Sequence, residues 1–373
     1  MSHLEREVQR RLPAWRVAAT RTPGGQKSRD KAAHEHRSVG AMKLKHLLPL
    51  LCIASLTTAS AQAPKTPAKA AAPAPAAPKK KAYPEYPVKP TLADVPYGSD
   101  PKQVLDFYKV ESSAPTPLLF FIHGGGWVAG DKKGVSGLRE CLAAGISVVS
   151  VEYRFIQQAM LAGQKPPVDW PLHDAARALQ FVRSKAGEWN IDKQRIGASG
   201  GSAGACSSLW LAFHPDMADP KSSDPIARES TRLWCAAVIG AQTSLDPKEL
   251  KEWTPNSRYG GHAFGFMDPN DTKSRDTRFA EFLEHRDEVL PWIKEYSPIE
   301  HLSADDPPVY MNYSAAPAIG QEQKDPTHTA NYGVKLKERC DKLGVKCELY
   351  YPGATDAPHK AAHDYLIDTL KAK

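Results

Sequence analysis

The sequence predicts an α/β fold, in which a mostly parallel sheet is covered by helices on both faces. From about residue 117 onward, short apolar segments alternate with segments of helical periodicity. The apolar segments are nearly continuous, which is typical of strands buried on both faces. Such strands joined by amphipathic helices indicate a parallel sheet. With 373 residues, the chain is long enough to bury a core of this kind.

Six apolar segments are the predicted strands of this sheet. They cover residues 117–123, 146–154, 195–200, 233–241, 308–314 and 347–353. A further strand is predicted at residues 103–110. The clearest helical patterns cover residues 172–189, 202–214 and 330–344. The stretch 243–300 is rich in aromatic residues, glycine and proline, and it interrupts the alternation. We predict that it is a cap-like insertion at the carboxyl edge of the sheet.

Residues 42–61 have the organisation of a secretory signal peptide. Two lysines, Lys43 and Lys45, precede an apolar stretch, and residues 59–61 form an A-x-A cleavage motif with residues 61–63 as a second option. The stretch is too short for a membrane-spanning helix, and no stop-transfer flank follows it. We therefore expect a secreted or periplasmic protein without a stable membrane anchor.

The segments around this signal carry no pattern of a folded domain. A signal peptide begins at the chain start, yet the polar residues 1–41 precede Met42. We therefore expect Met42 to be the true initiator and residues 1–41 to be a disordered extension from a misassigned start. Residues 62–82 are rich in Ala, Pro and Lys, which favours an extended linker. The predicted folded domain covers residues 83–373.

The distribution of charge argues against a nucleic-acid-binding protein. The formal net charge is +7, but residues 1–82 hold 16 Lys or Arg against 4 Asp or Glu, whereas the rest of the chain holds 33 against 38. A nucleic-acid interface needs basic residues concentrated on the folded domain. The basic excess lies instead in the N-terminal segment, so nucleic acid is not an expected partner.

Residues 200–204 read Gly-Gly-Ser-Ala-Gly, the pattern G-x-S-x-G, between a predicted strand and a predicted helix. Nucleophilic catalysis by serine requires this setting, because the strand-to-helix turn exposes the hydroxyl above the sheet. The helix that follows also directs its positive N-terminal end at the developing negative charge. Ser202 is therefore the candidate nucleophile. An overlapping frame would make it Ser199, but that residue falls inside the predicted strand.

A glycine-rich loop follows the strand at residues 117–123. It reads His-Gly-Gly-Gly-Trp at residues 123–127. A tetrahedral intermediate needs backbone N–H donors aimed at its oxyanion, and glycines present them without obstruction. We therefore predict an oxyanion hole formed by Gly124, Gly125 and Ala203, the residue after the nucleophile.

Four motifs together resemble the α/β-hydrolase superfamily. They are FFIHGGGWVAGDK (120–132), VVSVEYR (148–154), HDAARALQFVR (173–183) and IDKQRIGASGGSAGA (191–205). The similar branch is the esterase/lipase group with an HGGGW loop, which includes hormone-sensitive-lipase-like and feruloyl-esterase-like carboxylesterases. The resemblance covers roughly residues 95–373. It implies an eight-stranded, mostly parallel sheet flanked by helices, with residues 103–110 antiparallel. It also implies ester hydrolysis by a Ser–acid–His triad, with no cofactor and no metal.

The acid of the triad departs from the pattern that the resemblance implies. The family places it just after the seventh strand, where this chain has Ala316. Asp325 begins a segment, DPTHTANYGVKL, that is similar to the family's acid-plus-helix segment. A short insertion would move the acid to this position. Asp325 is thus the predicted acid, with Glu322 as the second choice.

The base is expected in the loop after the last strand, which offers His359 and His363. His359 falls in that loop, whereas His363 falls in the predicted final helix. His359 is therefore the predicted base. His328, which is close to the acid, is not favoured, and His123 is expected to shape the oxyanion loop.

The expected substrate is a carboxylic ester with a short or aromatic acyl group. Trp127 beside the oxyanion loop is predicted to line the substrate pocket, and aromatic residues of the insertion are expected either to cover the ester or to lie in the core. Acetyl or feruloyl esters of carbohydrate are suggested by the resemblance and by export. A peptidase of the same fold, or an inactive binding protein suggested by Ala316, are alternatives. The oligomeric state is left open.

Overall fold

The computed structural model describes residues 88–266, 271 and 275–372. The predicted signal peptide at 42–61, the extension at 1–41 and the linker at 62–82 lie outside the described residues. None of the helices within the described ranges has both the length and the apolarity needed to cross a membrane.

The described residues form one eight-stranded sheet, which confirms the predicted fold class. Its strands are β1 (Leu92–Pro96), β2 (Val104–Tyr108), β3 (Thr116–Ile122), β4 (Ser147–Val151), β5 (Ile191–Gly201), β6 (Cys235–Ile239), β7 (Val309–Asn312) and β8 (Cys347–Tyr350). Their order across the sheet is β1-β2-β4-β3-β5-β6-β7-β8. Strand β2 pairs antiparallel with both β1 and β4, and the other pairs are parallel.

Helices cover both faces of the sheet. They are α1 (Leu138–Ala143), α2 (Ile156–Leu161), α3 (Asp169–Ser184), α4 (Ala186–Trp189), α5 (Ala203–Phe213), α6 (Pro247–Trp253), α7 (Arg275–Glu284), α8 (Leu290–Tyr296), α9 (Pro298–His301), α10 (Asn331–Leu343) and α11 (Ala362–Lys371), with a 3₁₀ turn at Gly261–Phe264.

The residues of β3 show why the strands are nearly continuous apolar runs. Successive side chains of a strand point to opposite faces. Leu118 and Phe120 pack in the core cluster of one face, whereas Leu119 and Phe121 pack in the cluster of the other. All four are buried. Each face must therefore be apolar, and an alternating pattern would have left one face unpacked.

The insertion between β6 and β7 contributes to the helical layer beside α5. Every residue of α5 is buried, so this helix must be covered on the side away from the sheet as well. Helix α9 packs against α5, and the Trp210 indole donates a hydrogen bond to the Glu295 carbonyl at 2.8 Å. This contact fixes the helix whose N-terminus follows Ser202.

Candidate active site

Ser202 lies on a strained turn between β5 and α5. Its backbone angles are φ 54° and ψ −122°, which cost a residue with a side chain about 1–3 kcal/mol. The surrounding structure maintains this conformation: the Ser202 amide donates to the Ile239 carbonyl at 3.0 Å, and the Ser202 carbonyl accepts from the Cys206 amide at 2.9 Å. The turn thus places the hydroxyl at the carboxyl edge of the sheet, as the G-x-S-x-G pattern predicts.

Two glycines allow the turn and the loop after β3 to approach each other closely. A methyl group at Gly204 would lie 2.1 Å from the Ile122 carbonyl oxygen, and one at Gly124 would lie 2.5 Å from the Gly201 carbonyl oxygen. Both distances are shorter than any tolerable contact. The glycine at each position is therefore required by the packing of the loop on the turn.

The loop at residues 123–127 comes directly beside Ser202 because β3 and β5 are paired neighbours. In the described part of the chain, no carbonyl or side chain accepts a hydrogen bond from the amides of Gly124, Gly125 or Ala203. These amides are thus available as donors to an oxyanion, which is the role predicted for them. The buried His123 ring holds the loop, since its Nδ1 lies 2.8 Å from the Gly124 carbonyl oxygen.

The imidazole beside Ser202 belongs to His328. Its Nε2 lies 2.9 Å from Ser202 Oγ, and its Nδ1 lies 2.8 Å from Asp325 Oδ2. A carboxylate only accepts hydrogen bonds, so Nδ1 carries the proton and Nε2 accepts from the serine hydroxyl. The three side chains therefore stand in the hydrogen-bond order that serine catalysis requires.

Asp325 is held in place by its own loop. Its Oδ1 accepts hydrogen bonds from the backbone amides of Thr327 and His328, at 3.1 and 3.2 Å. Partial burial raises the pKa of Asp325, but the hydrogen bonds and charge of the His328 ring, with the two amides, outweigh it and lower the pKa overall. The carboxylate therefore stays ionised at neutral pH, although 59% of its side-chain surface is exposed.

Buried amide side chains fix the long loop between β7 and α10. The Gln242 amide donates to the Thr327 carbonyl at 2.7 Å. Asn331 is fully buried and exchanges hydrogen bonds with the backbone of Ala318, at 2.8 and 3.1 Å. These contacts hold the residues after Ala316 and the start of α10 in one arrangement, so that Asp325 reaches the site.

The prediction of His359 as the base is corrected by the structure. Its Nδ1 lies 2.9 Å from Glu348 Oε2, and its Nε2 lies 3.1 Å from Asp368 Oδ2. Both ring nitrogens are thus bound to carboxylates of β8 and α11, and neither is directed at Ser202. The loop after β8 packs against the final helix. The histidine at the position where the resemblance implies a catalytic base therefore takes part in a structural ion pair instead.

Replacing His359 by asparagine should reduce stability in a pH-dependent way. Burial lowers the pKa of His359, but the hydrogen bonds to Glu348 and Asp368 outweigh this and raise the pKa overall. A raised pKa gives stability that is fully present below the unfolded value near 6.5 and is lost as pH rises through the folded value. We expect a loss of about 1–2 kcal/mol in the free energy of unfolding at pH 6, and a smaller loss at pH 9.

Urea unfolding at the two pH values measures this difference. His363→Asn is the control, because its ring lies 3.6 Å from Asp364 and is not paired with Glu348 or Asp368. An equal loss for His359→Asn at pH 6 and pH 9 would contradict the prediction.

The prediction that Trp127 lines the substrate pocket is also wrong. Its side chain is fully buried, and its indole donates to Ser207 Oγ in α5 at 3.0 Å. The positive φ of 59° at Trp127 turns the side chain away from the glycine loop and into the core. This hydrogen bond connects the loop at residues 123–127 to α5, the helix that follows Ser202.

The remaining alternatives lie in other settings. Ser199 is buried within β5, and its hydroxyl donates to the Ala237 carbonyl at 2.6 Å. Glu322 is exposed, and His363 lies in α11. Ser199 does line the cleft at Ser202, but its hydroxyl is bound to Ala237, and neither Glu322 nor His363 is part of that lining.

A cleft of about 540 Å³ opens at Ser202. Its lining includes the apolar side chains of Phe121 and Ile239 and the polar side chains of Ser136, Asn312 and Ser314, besides the glycine loop, Asp325 and His328. None of the insertion's described aromatic residues lines it. Trp253, Tyr259 and Phe264 lie in the core instead.

The comparisons with known proteins agree with this geometry. Residues 105–324 match the sequence model of the BD-FAE family, which is more than half of the chain and includes the glycine loop and Ser202. The match ends one residue before Asp325, so Asp325 and His328 lie beyond it.

Two curated relatives are esterases by name. Esterase LipC of Mycobacterium tuberculosis is 26% identical over 239 residues, which cover 60% of this chain and 50% of LipC. Gut esterase 1 of Caenorhabditis elegans is 30% identical over 160 residues, covering 41% of this chain and 28% of that protein. The chain thus spans half or less of the length of these relatives.

Solved structures share the fold. A truncated carbohydrate esterase from gut microbiota has a TM-score of 0.56 at 19% identity, covering 78% of this chain and all of that one. Esterase 2 of Thermogutta terrifontis, phosphonylated by sarin, has a TM-score of 0.50 at 24% identity, covering 76% and 94%. The chain belongs to the BD-FAE family, within the α/β-hydrolase superfamily that its motifs resemble.

Proposed function

We propose that this protein is an exported serine carboxylesterase that works through an acyl-enzyme on Ser202. The hydrogen-bonded series Ser202–His328–Asp325, on a strained turn beside a glycine loop, is the observation that carries this proposal. The esterase names of the relatives and the signal-peptide pattern at 42–61 support it.

The first half of the reaction forms the acyl-enzyme. Ser202 Oγ attacks the ester carbonyl carbon while His328 Nε2 takes the hydroxyl proton. The carbonyl electron pair moves to the oxygen, which the amides of Gly124, Gly125 and Ala203 stabilise. Collapse of this intermediate breaks the bond to the alcohol, which leaves with the proton from His328.

Water reverses these steps in the second half. His328 removes a proton from water as the water attacks the acyl carbon, and then returns it to Ser202 as the acid leaves. Throughout, Asp325 keeps Nδ1 protonated and stabilises the imidazolium that forms.

The cleft favours esters with a small acyl group on a polar alcohol. Phe121 is buried and Ile239 is exposed, so one aliphatic side chain can contact a small acyl group, and the polar side chains of Ser136, Asn312 and Ser314 complete the lining. Acetyl groups on carbohydrate fit this combination better than feruloyl groups, because the ring of Phe121, the one Phe, Tyr or Trp among the described lining residues, is 4% exposed and offers little surface for stacking.

Replacing Asp325 by asparagine should lower kcat by about 10²-fold. Replacing a buried triad acid lowers kcat by about 10⁴-fold. The Asp325 side chain is 59% exposed, and water screens its charge, so the expected effect is smaller. The amide can also present the wrong group to His328 Nδ1. Steady-state hydrolysis of p-nitrophenyl acetate measures the effect, with Glu322→Gln as the matched control that keeps normal activity. A loss for Glu322→Gln equal to that for Asp325→Asn would show that the acid has been misassigned.

A substrate panel tests the proposed function. It compares p-nitrophenyl acetate, butyrate and octanoate with acetylated xylo-oligosaccharide, methyl ferulate and aminoacyl anilides. We expect the highest kcat/KM for acetyl esters and no hydrolysis of anilides. Exclusive anilide cleavage would indicate a peptidase, and no turnover of any substrate would indicate an inactive binding protein. Either result would overturn the proposal.

A further inference from the structure

A second cluster of chemically reactive side chains lies at the opposite end of α5 from Ser202. It comprises His214, which follows the helix, Glu295 in α8 and His301 at the end of α9. Among the described residues, these three can each offer one ligand atom within 4.8 Å of the others. Helix α5 has 11 residues, so the cluster lies about 16 Å from the nucleophile. The proposed esterase reaction does not use it.

Backbone contacts orient both imidazoles of this cluster. His214 Nδ1 lies 2.8 Å from the Pro215 carbonyl oxygen, and His301 Nε2 lies 2.5 Å from the Glu295 carbonyl oxygen. Because a carbonyl only accepts, these nitrogens carry the protons. The neutral rings therefore have lone pairs on His214 Nε2 and His301 Nδ1. Metal-binding histidines are oriented by this kind of outer contact.

The pair formed by His214 and Glu295 has the spacing of two ligands of one metal ion. His214 Nε2 lies 3.2 Å from Glu295 Oε1. With the ring proton on Nδ1, two lone pairs face each other at this distance, which is repulsive unless a proton or a metal ion lies between them. Zinc bonds of about 2.0–2.1 Å in a tetrahedron place neighbouring ligands about 3.3 Å apart. The observed spacing matches that geometry.

One side of the cluster is shielded and another is open. The Trp210 ring packs 4.6 Å from the His214 ring and shields one side, while 44% of the Glu295 side chain remains exposed and leaves a route for an ion.

We propose that His214, Glu295 and His301 bind one zinc ion, with water completing the coordination. Two imidazoles and one carboxylate are a ligand set that zinc accepts in a four-coordinate site. The ion would tie the C-terminal end of α5 to α8 and α9. It would thereby stabilise the helix on which the candidate nucleophile depends, without contacting the ester.

Equilibrium dialysis against Zn²⁺, followed by metal analysis, tests the site. The full chain is prepared without a histidine tag and stripped with a chelator. We expect one more bound zinc ion per chain in the wild type than in Glu295→Gln or His301→Ala. His285→Ala is the matched control, because its ring pairs with Glu288 in the turn between α7 and α8, and it should keep the full stoichiometry.

Thermal unfolding gives a second measurement, because an ion that binds the folded state raises the midpoint of unfolding. Zinc should raise the midpoint by several degrees in the wild type and in His285→Ala, but not in Glu295→Gln. Ester hydrolysis by the zinc-free variants confirms that they fold. No zinc binding by the wild type, or equal stoichiometry in the wild type and Glu295→Gln, would overturn the proposal.

Discussion

Ser202→Ala is expected to lower kcat for ester hydrolysis by about 10⁴–10⁶-fold. The hydroxyl of Ser202 faces His328 Nε2 at 2.9 Å, and no covalent intermediate can form without it. The residual rate would come from binding and from the oxyanion donors alone. The variant should still fold, because it keeps every backbone hydrogen bond of the turn and loses only one hydroxyl group.

Labelling with a fluorophosphonate probe complements the kinetic measurement. The probe should react with the wild type and fail to react with Ser202→Ala. Ser199→Ala is the matched control, because its hydroxyl is buried and bound to the Ala237 carbonyl; this variant should be labelled normally. Labelling that survives in Ser202→Ala and disappears in Ser199→Ala would move the nucleophile to the other frame of the motif.

His328→Ala is expected to lower kcat by about 10⁴-fold, whereas His359→Ala should stay within about threefold of the wild type. The imidazole of His328 bridges Ser202 and Asp325 at 2.9 and 2.8 Å. Both nitrogens of His359 are engaged by Glu348 and Asp368 instead. Hydrolysis of p-nitrophenyl acetate by the two variants at pH 8 gives the comparison.

Chemical rescue separates loss of the base from loss of the fold. Imidazole added to His328→Ala can enter the open cleft, since the His328 side chain is 37% exposed, and should restore part of the activity. It should have no effect on Ser202→Ala. A large loss in His359→Ala together with normal activity in His328→Ala would reverse the assignment of the base.

The strands of the sheet were predictable because burial on both faces makes them continuous apolar runs. All seven predicted strands have counterparts in the structure, from β2 to β8. Strand β1 (Leu92–Pro96) was missed, because it is a mostly exposed edge strand without the apolar character on which the prediction depends. Its place in the sheet comes from pairing with β2, which is a long-range contact.

Ser202 and the glycine loop were predictable because each is determined by local sequence. The turn needs small flanking residues, and the loop needs glycines for close approach, so both leave contiguous motifs. The base leaves no such motif. The prediction of His359 depended on the resemblance, which places the base after the last strand. In this chain, the imidazole that contacts Ser202 belongs to His328, only three residues after Asp325.

A signal for His328 was nevertheless present in the sequence. Asp325 and His328 are three residues apart, and a histidine in the same turn as the candidate acid can contact it without a second loop. Trp127 was misplaced for a related reason: its position beside the glycine loop was predictable, but its backbone conformation, φ 59°, was not. The cluster of His214, Glu295 and His301 joins distant segments, and its spacing in the sequence resembles no metal motif.

The most direct test of the Ser202–His328–Asp325 assignment is a crystal structure of the protein after reaction with a small phosphonate inhibitor. We predict phosphorus bonded to Ser202 Oγ, with the phosphoryl oxygen within hydrogen-bond distance of the amides of Gly124, Gly125 and Ala203. His328 Nε2 should face the phosphonate, with Nδ1 still bound to Asp325. An adduct on Ser199, or an imidazole of His359 in place of His328, would contradict the assignment.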